Sequence, residues 1–142
     1  MIRQWIGLLA AVALSGAAFA QATQSSNYST IEALPGKPVE VDYFASAKKD
    51  CSPAPLPTIR VIEAPKSGVL TVRQGALTTD RIAGCPRLKT PVQVVFYQAR
   101  AGHGGADHII YEVTSVNGEI ATFDVSIKIK EPPSVPSKGN EL

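Results

Sequence analysis

Between residues 31 and 130 apolar and polar positions alternate in short bursts, with little recurrence at helical spacing. In "TFDVSIKI" Phe123, Val125, Ile127 and Ile129 point one way, while Asp124, Ser126 and Lys128 point the other. In "TIRVIEA" Ile59, Val61 and Glu63 share one face, and Arg60 and Ile62 take the opposite one. A period of two with one polar face marks a half-buried antiparallel strand. Runs of this kind occupy 38–45, 58–64, 68–73, 92–99, 108–115 and 120–129, with a short first strand near Tyr28 to Leu34. Prolines at 35, 38, 53, 55, 57, 65, 86 and 91 leave no room for long helices. "APKSG" (64–68) reads as a tight turn, Asn117-Gly118 as a hairpin, and 44–58 and 78–91 as loops. The pattern predicts an all-β, antiparallel β-sandwich of about seven strands over residues 31–130.

The ends of the chain differ from this core. Residues 1–20 carry one charge, Arg3, then an apolar run from Trp5 to Leu14 and the small-residue ending Ala18-Phe19-Ala20. That is the layout of a secretory signal peptide, and it predicts export to the periplasm or outside the cell. The run is short for a bilayer span of ~20 residues, so no membrane span is expected after its removal. Residues 21–30 are polar and are expected to be flexible; 131–142 hold a proline-rich tail expected to be disordered. The formal net charge is +2, with no clustered basic face of the kind that binds nucleic acid. Two cysteines, Cys51 and Cys85, allow a single pairing, which an oxidising compartment favours. Their spacing lacks the close Cys-x-x-Cys pair of a zinc site. In the chain-entropy model a bridge closing this loop stabilises the fold by about 4 kcal/mol.

The segment "GHGGADHIIYEV" (102–113) holds both histidines. Asp107, Ile109, Tyr111 and Val113 share a face of a regular strand. The spacing is that of a tyrosine corner, in which Tyr111 hydrogen-bonds back to the preceding crossover. Asp107 accepts backbone N–H groups in the turn, and Gly102 and Gly105 supply backbone angles closed to other residues. Here the chain resembles a bacterial Ig-like, cadherin-like domain. Pro65 and Gly68 match that family's turn before a strand, Tyr97 its upstream tyrosine, and Gly102 its first glycine. Gly105, Asp107, Ile109, Tyr111 and Val113 match its glycine-x-Asp-x-aromatic-x-Tyr-x-Val run, and Asn117-Gly118 its hairpin. The likeness spans roughly Val61 to Ile129. It departs at His103, where the family has an aromatic, and in the single copy where the family has arrays. The resemblance implies an Ig-like sandwich.

Candidate chemistry is sparse. His103, Asp107 and His108 have metal-ligand side chains, but strand alternation sends His108 to the face opposite Asp107. No serine sits in a nucleophile elbow and no glycine loop joins a strand to a helix. "GHGG" (102–105) resembles the Gly-x-Gly-Gly loop of chagasin-like cysteine-protease inhibitors, whose other two loops are missing. The residues therefore predict a non-catalytic exported module without a cofactor. Its binding loop would carry Lys48, Lys49, Pro55 and Leu56, and its partner would be a protein or another cell-envelope component. The alternatives are a small metal-binding protein using His103 and His108, and a cysteine-protease inhibitor.

Overall fold

The computed structural model describes residues 16–17, 23–102 and 104–131. The leader predicted over 1–20, apart from Gly16 and Ala17, lies outside these residues. So do His103 and, beyond Glu131, the predicted tail. Seven strands run β1 (Gln24–Ala33), β2 (Pro38–Ala45), β3 (Thr58–Glu63), β4 (Gly68–Thr79), β5 (Leu88–Ala99), β6 (Gly105–Thr114) and β7 (Ile120–Ile129). One sheet has the order β1-β7-β6-β3 and the other β2-β5-β4. The division of β2, β5 and β4 from β3, β6 and β7 is that of an Ig-like sandwich. No helix among the described residues is long and apolar enough to cross a membrane.

The interior is built by the alternation that the sequence carries. Asp107, Ile109, Tyr111 and Val113 of β6 are buried, as are Val125, Ile127 and Ile129 of β7. From the other sheet Val95, Tyr97 and Ala99 of β5 meet them, and Ala33 of β1 closes one side. Tyr111 stacks on Phe123 with ring centroids 5.2 Å apart, and Phe44 packs edge-on against both. A fully buried side chain of this size contributes about 1.5–3 kcal/mol.

Three elements depart from the pattern-based expectation. The polar stretch 24–30, expected to be flexible, forms most of β1 and pairs in parallel with β7. Its side chains face solvent, so hydrophobic periodicity carries no trace of it. β4 and β5 form one unbroken ladder of twelve pairs, from Gly68↔Ala99 to Thr79↔Leu88. The residue pattern ends the first strand at Arg73 and begins the second at Val92, just after Pro91. Pro91, however, lies one residue past the last pair of β2 with β5, Ala45↔Val92, where β5 has a single neighbour and tolerates a missing N–H. In β3 a bulge between Val61 and Glu63 breaks the alternation, so Glu63 pairs with Ile110 on the outer face. Glu63 therefore does not share the face of Ile59 and Val61.

Candidate functional site

The strand directions sort the connections into two ends. The 46–57, 80–87 and 115–119 connections meet at one end, and 34–37, 64–67 and 100–104 at the other.

At the first end Cys51 and Cys85 are disulfide-bonded, with Cα atoms 5.6 Å apart. The 46–57 segment is folded back on itself: Ala47 bridges Pro53, and Lys48 N–H donates to the Ser52 carbonyl at 2.8 Å. Lys48, Lys49 and Asp50 form its exposed tip. Asp50 accepts from the Ser52 hydroxyl and backbone N–H, which hold its carboxyl below the usual range. Pro55 is exposed and Leu56 half-buried; the Pro57 carbonyl accepts from the Gln93 side chain at 2.7 Å.

The 80–87 connection is clamped in its turn. Arg81 bonds Asp42 at 2.7 Å and lies over the Tyr43 ring, 3.8 Å from its centroid, while Asp80 accepts from the Arg87 N–H at 2.7 Å. Two non-glycine residues among those described have left-handed backbone, Cys51 (φ 66°) and Arg87 (φ 52°). Each lies in one of the two loops that the disulfide joins. Backbone held in that region raises the energy by about 1–3 kcal/mol per residue and persists only where the surroundings enforce it. Beside these loops an open pocket of about 500 Å³ is lined by residues that include Ala47, Ala54, Ile82, Val116 and Glu119. Val116 is 62% exposed there.

The opposite end is a latch. The Asp107 carboxylate accepts from the Lys66 and Ser67 backbone N–H groups at 2.9 Å each, from the Tyr97 hydroxyl at 2.8 Å and from the His108 N–H at 2.9 Å. Burial pushes its pKa up, but these bonds outweigh that and hold it below 3.8. Gly68 completes the fit. A Cβ there would meet the Gln98 carbonyl at 2.4 Å and the Tyr97 ring at 2.8 Å. Gly102 (φ 85°) and Gly105 (φ 137°) adopt angles that a side chain disfavours. Asp107 and the two glycines thus come together at this end, and the phenol that joins them is Tyr97. Tyr111, expected to bond back to the crossover, has no hydrogen-bond partner for its buried hydroxyl among the described residues. It lies two residues further into the apolar layer than Ile109, under Phe123 and Phe44, out of reach of the turn.

On the outer face His108 joins three strands. Its Nε2 meets Asp124 of β7 at 2.5 Å and its Nδ1 meets Glu63 of β3 at 3.1 Å. Asp124 first, then Glu63, raise the imidazole pKa above 6.5. The two carboxylates flank opposite edges of the ring and do not converge on one point. Among the described residues no group of three or more His, Cys, Asp or Glu side chains is arranged to hold a metal ion. Among the described residues no hydroxyl is hydrogen-bonded to His108. Sequence reasoning missed this trio because the bulge that turns Glu63 outward leaves no mark in the residue pattern. Asp124 was legible as an outward residue of its strand, but its place opposite the histidine required the register.

No family model and no curated protein matches the chain. The solution structure of amebosin is similar over 73% of this chain and 98% of that one, at 10% identity and a TM-score of 0.39. PbICP-C, solved in complex with falcipain-2, is similar over 78% of this chain and 92% of that one, at 11% identity and a TM-score of 0.33. A 2,6-sialyltransferase of Photobacterium sp. JT-ISH-224 is similar over 80% of this chain and 19% of the enzyme, at 13% identity and a TM-score of 0.32.

Proposed function

We infer that the protein is a non-catalytic, exported binding module whose contact surface is the disulfide-joined end of the sandwich. The observation that carries this reading is the coincidence of enforced backbone strain with exposed side chains. Cys51 and Arg87 both sit in left-handed backbone within the bridged loops, next to exposed Lys48 and Lys49 and an open pocket. Strain of this kind gathers where a loop is held in shape for contact. The disulfide fits an oxidising compartment, in keeping with the leader-like first twenty residues. A rigid loop loses little conformational entropy on docking, so its affinity is not spent on ordering the loop.

The partner is a protein or another component of the cell envelope that offers acidic groups to Lys48 and Lys49. The test is capture of that partner from the exported fraction by the oxidised chain. Lys49→Ala and Leu56→Ala should each weaken capture, and an unchanged yield from both variants refutes this surface. Heat on titration with micromolar zinc or copper, abolished by His108→Ala, would instead support a metal-binding role. Stoichiometric loss of papain activity would support the inhibitor alternative.

A further inference from the structure

Four strands lie at sheet edges: β1 and β3 in one sheet, β2 and β4 in the other. An open edge offers unpaired N–H and C=O groups, and proteins usually guard it with bulges, charges, prolines or short length. β2 starts at Pro38, carries Glu40 and Asp42, and has a bulge between them. β3 is six residues long, bulged, and carries Arg60 and Glu63. β1 is regular, but apart from Tyr28 and its last residues Ile31 and Ala33 it offers mostly Ser, Asn and Thr, with little to anchor a partner. β4 has the fewest of these guards. It runs for twelve residues in unbroken register, without proline, and Arg73 is its single charge. In an antiparallel ladder alternate residues turn their backbone groups away from the neighbour, so half of β4 faces outward, unpaired among the described residues.

We propose that the free edge of β4 is a strand-addition site for an extended segment of a protein partner that alternates apolar and acidic residues. The apolar half follows from the opening between the sheets. There an apolar crevice of about 370 Å³ is lined by Val61, Ala64, Pro65, Gly68, Val69 and Leu70. On the inward parity Val72 of β4 is 37% exposed, and Val61 of β3 is 43% exposed. Side chains of an added strand that point inward beside Leu70 and Val72 would fill this opening.

The acidic half follows from the outer face. Thr71 and Arg73 point there, and the Arg73 guanidinium lies 6.0 Å from the centroid of the Phe96 ring. From Gly68 to Ala99 the hairpin holds four basic side chains, Arg73, Arg81, Arg87 and Lys89, against one acid, Asp80. Among the described ion pairs Arg81 alone of these is matched, by Asp42. Outward-pointing acids on the added strand would pair with Arg73. A second copy of the chain would bring a like-charged hairpin to the same edge, which is the reason to favour an acidic partner over self-association. Main-chain bonds would supply affinity, and the crevice and Arg73 would supply selectivity.

The test uses the ¹⁵N-labelled, oxidised full chain and two capped eight-residue peptides, one alternating valine with glutamate and one alternating valine with lysine. The Val–Glu peptide should shift and slow the exchange of alternate amides between Gly68 and Leu77, with the Lys48–Ser52 amides unmoved. The Val–Lys peptide should bind about tenfold more weakly, and Arg73→Glu should invert that preference. Unchanged amide positions in β7 would show that this exposed-site variant is folded. Perturbation at another edge, equal binding of the two peptides, or no binding would overturn the proposal. So would concentration-dependent protection of β4 without peptide, because it would assign the edge to a second copy. None of these outcomes touches the loop-end reading, which concerns different amides.

Discussion

Replacing Asp107 with alanine removes the acceptor that ties the 64–67 turn, β5 and β6 together. Three donors beyond its own strand lose their partner: the Lys66 and Ser67 N–H groups and the Tyr97 hydroxyl. Tyr97 is fully buried, so its hydroxyl cannot recover a bond from water. Hydrogen bonds to a charged acceptor contribute about 1.5–3 kcal/mol each, while a donor that regains water loses little. With Tyr97 counted in full, Ser67 in part and exposed Lys66 hardly at all, the expected loss is about 3–4 kcal/mol. That is a large share of the stability of a small domain.

Urea unfolding followed by far-ultraviolet circular dichroism measures it. With a slope near 1–1.5 kcal/mol per molar, the midpoint should fall by about 2–4 M. The pH dependence adds a signature. The folded-state pKa of Asp107 is depressed below 3.8, so its contribution is complete above the unfolded carboxylate value and vanishes as pH falls through the folded one. The gap between the parent and Asp107→Ala should therefore close in strong acid. A loss below about 1 kcal/mol at neutral pH, or a gap that persists at low pH, refutes the latch.

Further variants separate the two buried tyrosines and the outer face. Tyr97→Phe should destabilise by about 1–2 kcal/mol, whereas Tyr111→Phe should be neutral or stabilising, since its hydroxyl has no partner. Thermal melts of the pair decide this, and equal losses would contradict the assignment. Gly68→Ala should destabilise by more than about 2 kcal/mol, because its Cβ would collide with backbone and ring; chemical denaturation checks it. His108 has a raised folded-state pKa, so its stabilisation is full below 6.5 and lost as pH rises through the folded value. The trio is half-exposed, so the effect is about 0.5 kcal/mol, and His108→Gln should flatten it in a pH series of melts. The double variant Cys51→Ala/Cys85→Ala should lose about 4 kcal/mol or less relative to the oxidised parent.

Much of the fold is legible wherever one face of a strand is buried. β2 and β7 begin and end where alternation places them, and β6 shows its inward residues plainly. The tip of the hairpin at Asn117-Gly118 is visible because Gly118, at φ 84°, needs a conformation that glycine adopts freely. What stays hidden depends on partners distant in sequence. β1 is held by its pairing with β7 and not by its own side chains. The extension of β4 and β5 across Gly75 and Pro91 follows from where β2 stops. The choice of Tyr97 over Tyr111 as the bonded phenol follows from which of two buried rings reaches Asp107 across the sandwich, a distance that no spacing along one strand encodes. The His108 trio needs both the bulge in β3 and the register of β7.

The proposed binding role requires contact through the end where Cys51 and Cys85 meet. A photoreactive side chain placed at position 49 of the oxidised chain should cross-link one discrete partner from the exported fraction. Reduction of the disulfide should abolish that adduct, and the same probe at position 60, on the outer face of β3, should yield none. Adducts from position 60 alone, or from position 49 whether or not the disulfide is intact, would contradict it.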